Sequence, residues 1–262
     1  MKKLLIFIKL SISSAIEYRG DILLYVFGNI TQPMVILLIW LAISKSSGTL
    51  PISQNELIVY YLLVIILHLI TSTWGAIFIT SDIRLGKLSP FLTKPASYLL
   101  HQIGNNIGEK LIKAIYTIPL VIILGLIFHA TLPELSFISL IIFIISCFLS
   151  ATIMFMIDIC IGICAFWMET TESLEDLFDM LLHLFSGRLA PLFMLPIFMQ
   201  NIAFITPFRY LLSFPIEIIT GKISPTQVVI GIGFQLFWLT LSIFVYKVLW
   251  GKGIRRYTAV GI

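Results

Sequence analysis

"SGRLAPLFMLPIFMQNIAFITPFRYLLSFPIEIITGK" (residues 186–222) is almost wholly apolar, yet Pro191, Pro196, Pro207 and Pro215 interrupt it. Proline lacks the amide donor and crowds the preceding helical turn, so the pieces between these prolines are shorter than the ~20 residues a helix needs to cross a bilayer. Two readings follow: short helices that dip into the membrane from one face and return, or one longer helix with proline kinks. Backbone at that depth must have its hydrogen bonds satisfied, so dipping helices have to be shielded by protein. We expect re-entrant helices over residues 190–224, with Pro196 and Pro207 bounding the first arm and Gln200 and Asn201 at its turn or polar rim.

The rest of the chain is as oily. With 59% hydrophobic and 11% charged residues among 262, and a mean hydropathy of +1.04, it lacks the polar groups to cover a surface in water. Apolar runs of spanning length lie at residues 22–43, 57–80, 111–128, 137–165 and 227–250, with a sixth, broken one at 174–189. The expected fold is all-α: a polytopic membrane protein of six transmembrane helices in a single domain, residues 1–262.

In residues 1–21, Lys9 interrupts the apolar stretch and no small-residue cleavage pattern follows, which argues against a signal peptide. Leu4, Leu5, Ile8, Ile12, Ala15 and Ile16 recur at helical spacing opposite Lys2, Lys9, Ser13 and Gly20, the pattern of a helix lying in the membrane interface. Cations near span ends are retained in the cytoplasm. With the N-terminus inside, the inner segments hold thirteen of the seventeen Lys and Arg residues, and only Lys45, Arg188, Arg209 and Lys222 fall outside. Both termini are thus assigned to the cytoplasm, Arg209 and Lys222 to the neighbourhood of external water, and the basic balance to topology and anionic lipid rather than nucleic acid.

Enzyme signatures are missing from the sequence. There is no H-E-x-x-H, the four histidines are scattered, and Ser186 lacks the glycine two residues before it that an intramembrane serine protease would carry. "LGKLS" (85–89) is not a phosphate loop, since Ser81 stands for its first glycine and Leu88 follows Lys87. Cys147, Cys160 and Cys164 all fall in one apolar run and read as buried thiols, with no metal site or disulfide framework supported.

Between the second and third runs stands "SDIRLGKLSPFLTKPAS" (81–97). Pro90 and Pro95 stop either neighbour from running through as one helix and Gly86 permits a tight turn, so a short amphipathic helix is expected at the inner surface. Ile83, Leu88, Phe91 and Leu92 could form an apolar ridge beside Arg84, Lys87 and Lys94, a lever for a soluble partner; an ordinary positive-inside loop is the other reading.

"IRLGKLSPFLTKP" (83–95) resembles the I-R-x-G-x-L-x-x-x-L-x-x-P signature between the second and third spans of ABC-2-type exporter permeases. The likeness continues in order through "EYRGDIL" (17–23), Phe166 with Trp167, "LFSGRLAPLFMLP" (184–196) and "PFRYLLSFPIEIITG" (207–221). That resemblance implies a six-span permease that dimerises with an identical or related copy and forms half of a translocation pathway. It implies coupling through Ile83, Arg84, Gly86, Lys87, Leu88, Phe91, Leu92 and Pro95 to a separate cytoplasmic ATPase that carries the ATP and Mg, with no cofactor on this chain. It also implies that the short helices around Pro191, Pro196, Pro207, Phe208 and Pro215 cap the exit, and a setting in the bacterial inner membrane. Arg188 departs from the family pattern, where an uncharged residue is expected. The alternative is a secondary transporter or channel not driven by ATP, against which stand the lack of an internal repeat and of paired intramembrane charges. The substrate is not legible.

Two further features belong to the residues themselves. Asp158, inside the fourth run, costs about 3 kcal/mol in lipid unless paired, protonated or facing water. It reads either as lining a pathway or subunit interface or as a snorkelling or protonated group, with His68 as a candidate partner. "WMETTESLEDLFDM" (167–180) carries five acids and no cation, so Thr170 or Thr171 is expected to cap a helix whose first turns hold them; a docking surface for cations is the other reading.

Overall fold

The computed structural model describes residues 2–17, 19–46, 51–93, 97–133 and 136–257, and the regular structure among them is helical throughout. Uncharged runs of Leu, Ile, Val and Phe leave their backbone polar groups no water, and the helix satisfies those groups within the segment. In chain order the helices are α1 (Lys2–Glu17), α2 (Arg19–Ser46), α3 (Gln54–Thr71), α4 (Gly75–Arg84), α5 (Ser89–Thr93), α6 (Tyr98–Ile127) and α7 (Phe137–Ile163). They continue with α8 (Glu172–Phe185), α9 (Ile197–Ile205), α10 (Phe208–Leu211), α11 (Ser213–Ile219) and α12 (Pro225–Ile254). Short 3-10 turns follow α7 and precede α9.

α3 and α7 form the centre. Leu57, Tyr61, Ile65 and Leu67 of α3, and Ile153, Ile159 and Ile163 of α7, are fully buried. On the surrounding helices the outward residues are apolar too, such as Leu24 and Phe27 of α2, Leu126 of α6 and Val229 of α12, as a lipid solvent requires.

The two ends of the bundle are identified by side-chain contacts. Glu56 in the first turn of α3 pairs with Lys222 just before α12, and Asn55 exchanges two hydrogen bonds with Thr131 between α6 and α7. This is the Glu56 end, where α3, α7 and α12 begin and α2 and α6 finish. At the Arg84 end lie α5, the start of α6 and the start of α8, whose Thr171 meets Thr80 of α4, hydroxyl to hydroxyl at 2.8 Å.

Three expectations change. The second apolar run is not one helix: residues 72–74 are non-helical between α3 and α4. The third helix starts at Tyr98, where the Ser97 hydroxyl caps it, well before residue 111. Its polar first half, with Gln102, Asn105 and Glu109, is covered by α1: Gly104 and Gly108 leave no room for a Cβ against Phe7 and Ser11, and the Ser11 hydroxyl donates to the Asn105 carbonyl at 3.0 Å. α1 thus packs as a bracket, with Ile12 and Ala15 toward Ile22, Val26 and Ile112, while Leu5 and Ile16 of the expected apolar face are exposed.

The third change concerns the run at 174–189. α8 has 14 residues, about 21 Å at 1.5 Å per residue, short of a ~30 Å hydrocarbon layer. Five helices among the described residues have the length and apolarity to cross: Gly20–Ser46, Gln54–Arg84 (counting its break), Tyr98–Ile127, Phe137–Phe166 and Pro225–Ile254. Since α7 and α12 both begin at the Glu56 end, the chain returns there through α8 and the non-helical residues 186–191.

Candidate functional site

At the Arg84 end, α4 stops at Leu85 because Gly86 takes φ 70, a left-handed conformation that costs glycine nothing. The Leu88 amide turns back to the Asp82 carbonyl at 3.2 Å, and α5 starts one residue later. The expected ridge is split by this turn. Ile83 and Leu88 face inward, at 8% and 0% exposure, into a cluster with Ile79, Tyr98, Met156 and Ile159. Phe91 is half-buried against Tyr98 and His101, while Arg84, Leu85, Lys87, Pro90 and Leu92 are exposed. Pro95 and Lys94 lie outside the described residues.

Beneath the turn is an aromatic platform. Tyr98 of α6 stacks on Trp250 of α12 at 5.6 Å and 9°, Phe166 after α7 packs edge-on to Trp250 and Tyr257, and Phe7 of α1 meets His101 of α6. Hydrogen bonds attach the turn to these rings: the Tyr98 hydroxyl donates to Asp82 at 2.8 Å and Tyr257 meets Ser89 at 2.9 Å. The turn is therefore seated on α6, α7 and the C-terminal end of α12.

Deeper, the break at residues 72–74 answers the question of Asp158. Its carboxylate accepts from the Thr73 hydroxyl and from the Ala76 amide, the latter at 3.1 Å, so α7 supplies the cap that the N-cap residue of α4, Trp74, does not. Those amides carry the positive end of the helix dipole, where an anion is favoured. Glycine is required beside it: a Cβ on Gly75 would sit 2.7 Å from the Asp158 Oδ2, and one on Gly162 would meet the Ala76 backbone at 2.8 Å. Asp158, Glu175 and Asp179 also line a cavity of about 180 Å³ with Thr73 and Trp74. Thr171 takes the N-cap position of α8, but its hydroxyl serves Glu175 and Thr80 rather than the helix backbone.

His68 is not the partner of Asp158. It sits in the last turn of α3, with Nε2 2.6 Å from Asn29 Oδ1 of α2 and Nδ1 2.9 Å from Arg188 Nη2. Sequence reading missed Asn29, whose only signal was an amide in an apolar run. It also missed Lys113, 3% exposed, which pairs with Glu109 and lies 3.3 Å from the centre of the Tyr25 ring. Lys113 forms part of the floor of a lateral groove of about 520 Å³ between α1, α2, α4 and α6.

The proline-broken stretch is held by donors from the long helices. Gly187 and Leu189 carbonyls accept from Tyr60 (2.8 Å), and from Tyr61 (2.9 Å) and Trp40 (3.0 Å), respectively. The Tyr210 carbonyl accepts from Ser150 of α7 at 2.7 Å and Gln235 of α12 at 2.9 Å, and Gln235 also bonds Ser146. Each proline stands where its missing amide costs nothing: Pro191, Pro196 and Pro207 at N-cap positions, Pro215 in the first turn of α11. Phe208 packs on Phe178 and Phe185 of α8. Gln200 lies within α9 and donates back to the Leu195 carbonyl at 2.8 Å, Asn201 beside it is exposed, and α9 ends at Ile205 ahead of Pro207. Arg209, expected near water, is 5% exposed and paired with Glu217.

A sequence profile of the family described as "ABC-2 family transporter protein" matches residues 26–261. No curated protein and no solved structure matches the chain. A match over nearly the whole length, on a helical bundle with apolar spanning helices, leads to one conclusion: this chain belongs to the ABC-2 family of transporter proteins and is a multi-pass membrane transport subunit.

Proposed function

We propose that the chain is the permease of an ATP-binding cassette exporter, supplying half of a translocation pathway with a second permease, identical or related, and driven by a separate cytoplasmic ATPase that binds ATP and Mg. The observation that carries this reading is the turn at residues 84–92. Its exposed Arg84, Leu85, Lys87 and Leu92 offer a mixed basic and apolar surface, while its buried Leu88 and its bonds to Tyr98 and Tyr257 fix it to α6, α7 and α12. A soluble subunit docked there would move the spanning helices as a unit. The Arg84 end is then cytoplasmic, in agreement with the distribution of cations, the membrane is a bacterial inner membrane, and α9 to α11 form a re-entrant cap on the outer half.

The test is affinity capture from native membranes with MgATP hydrolysis measured in the eluate. Wild type should bring down an ATPase, and Lys87→Glu combined with Leu92→Asp should lose most of that activity while the chain keeps its thermal stability, because both side chains are exposed. Equal capture by the double variant would refute the docking surface. Leu88→Asp is the wrong probe, since a carboxylate at a fully buried position would unfold the turn itself.

A further inference from the structure

The chain of contacts through His68 has a direction. An arginine can only donate, so His68 Nδ1, 2.9 Å from Arg188 Nη2, is the acceptor. The ring proton is then on Nε2 and is donated to Asn29 Oδ1 at 2.6 Å. Two donors are left over. Asn29 Nδ2 and Arg188 Nε are both buried and have no hydrogen-bond partner among the described residues.

Among the described residues no carboxylate forms an ion pair with Arg188, and the field of Asp179 reaches it only without contact. Beside these groups is a cavity of about 20 Å³ lined by Asn29, Gln32, Pro33, Val64, His68 and Arg188. A cavity of ~10–15 Å³ already admits one water-sized group. Pro33 also cannot donate to the Asn29 carbonyl one turn back, which loosens α2 at this level. Positive charge, unpaired side-chain donors and room for one small group suit an acceptor carrying negative charge.

We propose that Arg188, with Asn29 facing it, forms a receptor for one anionic oxygen, the tip of a carboxylate or phosphate group, either free in solution or at the head of a membrane amphiphile. Arginine suits this because its guanidinium offers oxygen two donors in a fixed plane, and burial strengthens the contact by excluding water. The proposal does not depend on ATP, on a partner or on the direction of transport, so the permease reading can fail without it, and the reverse.

The experiment measures the thermal midpoint of the purified chain in neutral maltoside micelles, titrated with sodium acetate, with sodium dodecanoate, or with dodecanol as the uncharged control. A ligand that binds only the folded state raises the midpoint in proportion to the logarithm of its excess over Kd. We expect a saturable rise of several degrees, absent with dodecanol and lost in Arg188→Gln. A rise with acetate identifies a free anion as sufficient; a rise with dodecanoate alone identifies an amphiphile head. Asn29→Asp supplies the carboxylate internally and should raise the unliganded midpoint while abolishing the response. No rise in wild type with either anion, or the same rise in Arg188→Gln, would overturn the proposal and leave a buried water as the partner of these donors.

Discussion

The apolar chain is interrupted twice inside the bundle, and the two interruptions are repaired differently. Between α3 and α4 the gap is three residues, and one carboxylate, Asp158, accepts from both Thr73 and Ala76. Across residues 186–224 the interruption is long, and its carbonyls are met by at least five donors from α2, α3, α7 and α12: Trp40, Tyr60, Tyr61, Ser150 and Gln235. A short break can be held by one carboxyl group accepting twice; a long one requires many neutral donors, several of them in pairs on the same oxygen. The first arrangement concentrates the cost of any loss, and the second spreads it.

That contrast orders the expected effects. Asp158→Leu strands the Thr73 hydroxyl and the Ala76 amide together, for a loss of about 3 kcal/mol at the usual cost of buried unpaired groups. Asp158→Asn, which keeps a carbonyl oxygen, should lose about 1 kcal/mol. Denaturation in detergent with both variants checks this; equal losses would show that the charge, and not the acceptor, holds the break.

Gln235→Leu comes next. It removes one donor from the Tyr210 carbonyl and the acceptor of Ser146, but Ser150 still donates to Tyr210 at 2.7 Å, so about 1–2 kcal/mol is expected. Combined with Ser150→Ala the loss should exceed the sum of the two single variants, because the second donor is then gone as well. Strict additivity in that cycle would mean that the two donors do not share a role.

Smallest is Trp40→Phe, where Tyr61 still serves the Leu189 carbonyl: about 0.5 kcal/mol, near the lower limit for a single hydrogen bond. A midpoint shift as large as that of Asp158→Leu would contradict the spreading of cost across the long interruption.

The long interruption was legible in the sequence and the short one was not. Four prolines announce that residues 186–222 cannot be one straight helix, since the missing amide is a local property. "TSTWG" (71–75) has only weak helix formers as a signal, and its neighbours are oily enough for the hydropathy to run through it. Asp158 was conspicuous as a charge in a span, but the thing it caps is 82 residues away from it at Ala76.

Composition and the spacing of charge and proline determined by themselves that this protein is helical, that it sits in a membrane, roughly where its long helices run, and that the chain turns near Gly86. Those are properties of single segments against a solvent: burial of apolar surface, satisfaction of the backbone, and the conformations Gly and Pro permit. Tertiary structure decided the rest. It turned Ile83 and Leu88 inward, gave Asp158 to α4 and His68 to Arg188 and Asn29, and set Gln200 within α9. Each of those outcomes depends on which helix faces which. In a chain where nearly every face is apolar, the hydrophobic pattern says little about facing, and the few polar atoms, which need partners at a definite distance, settle it.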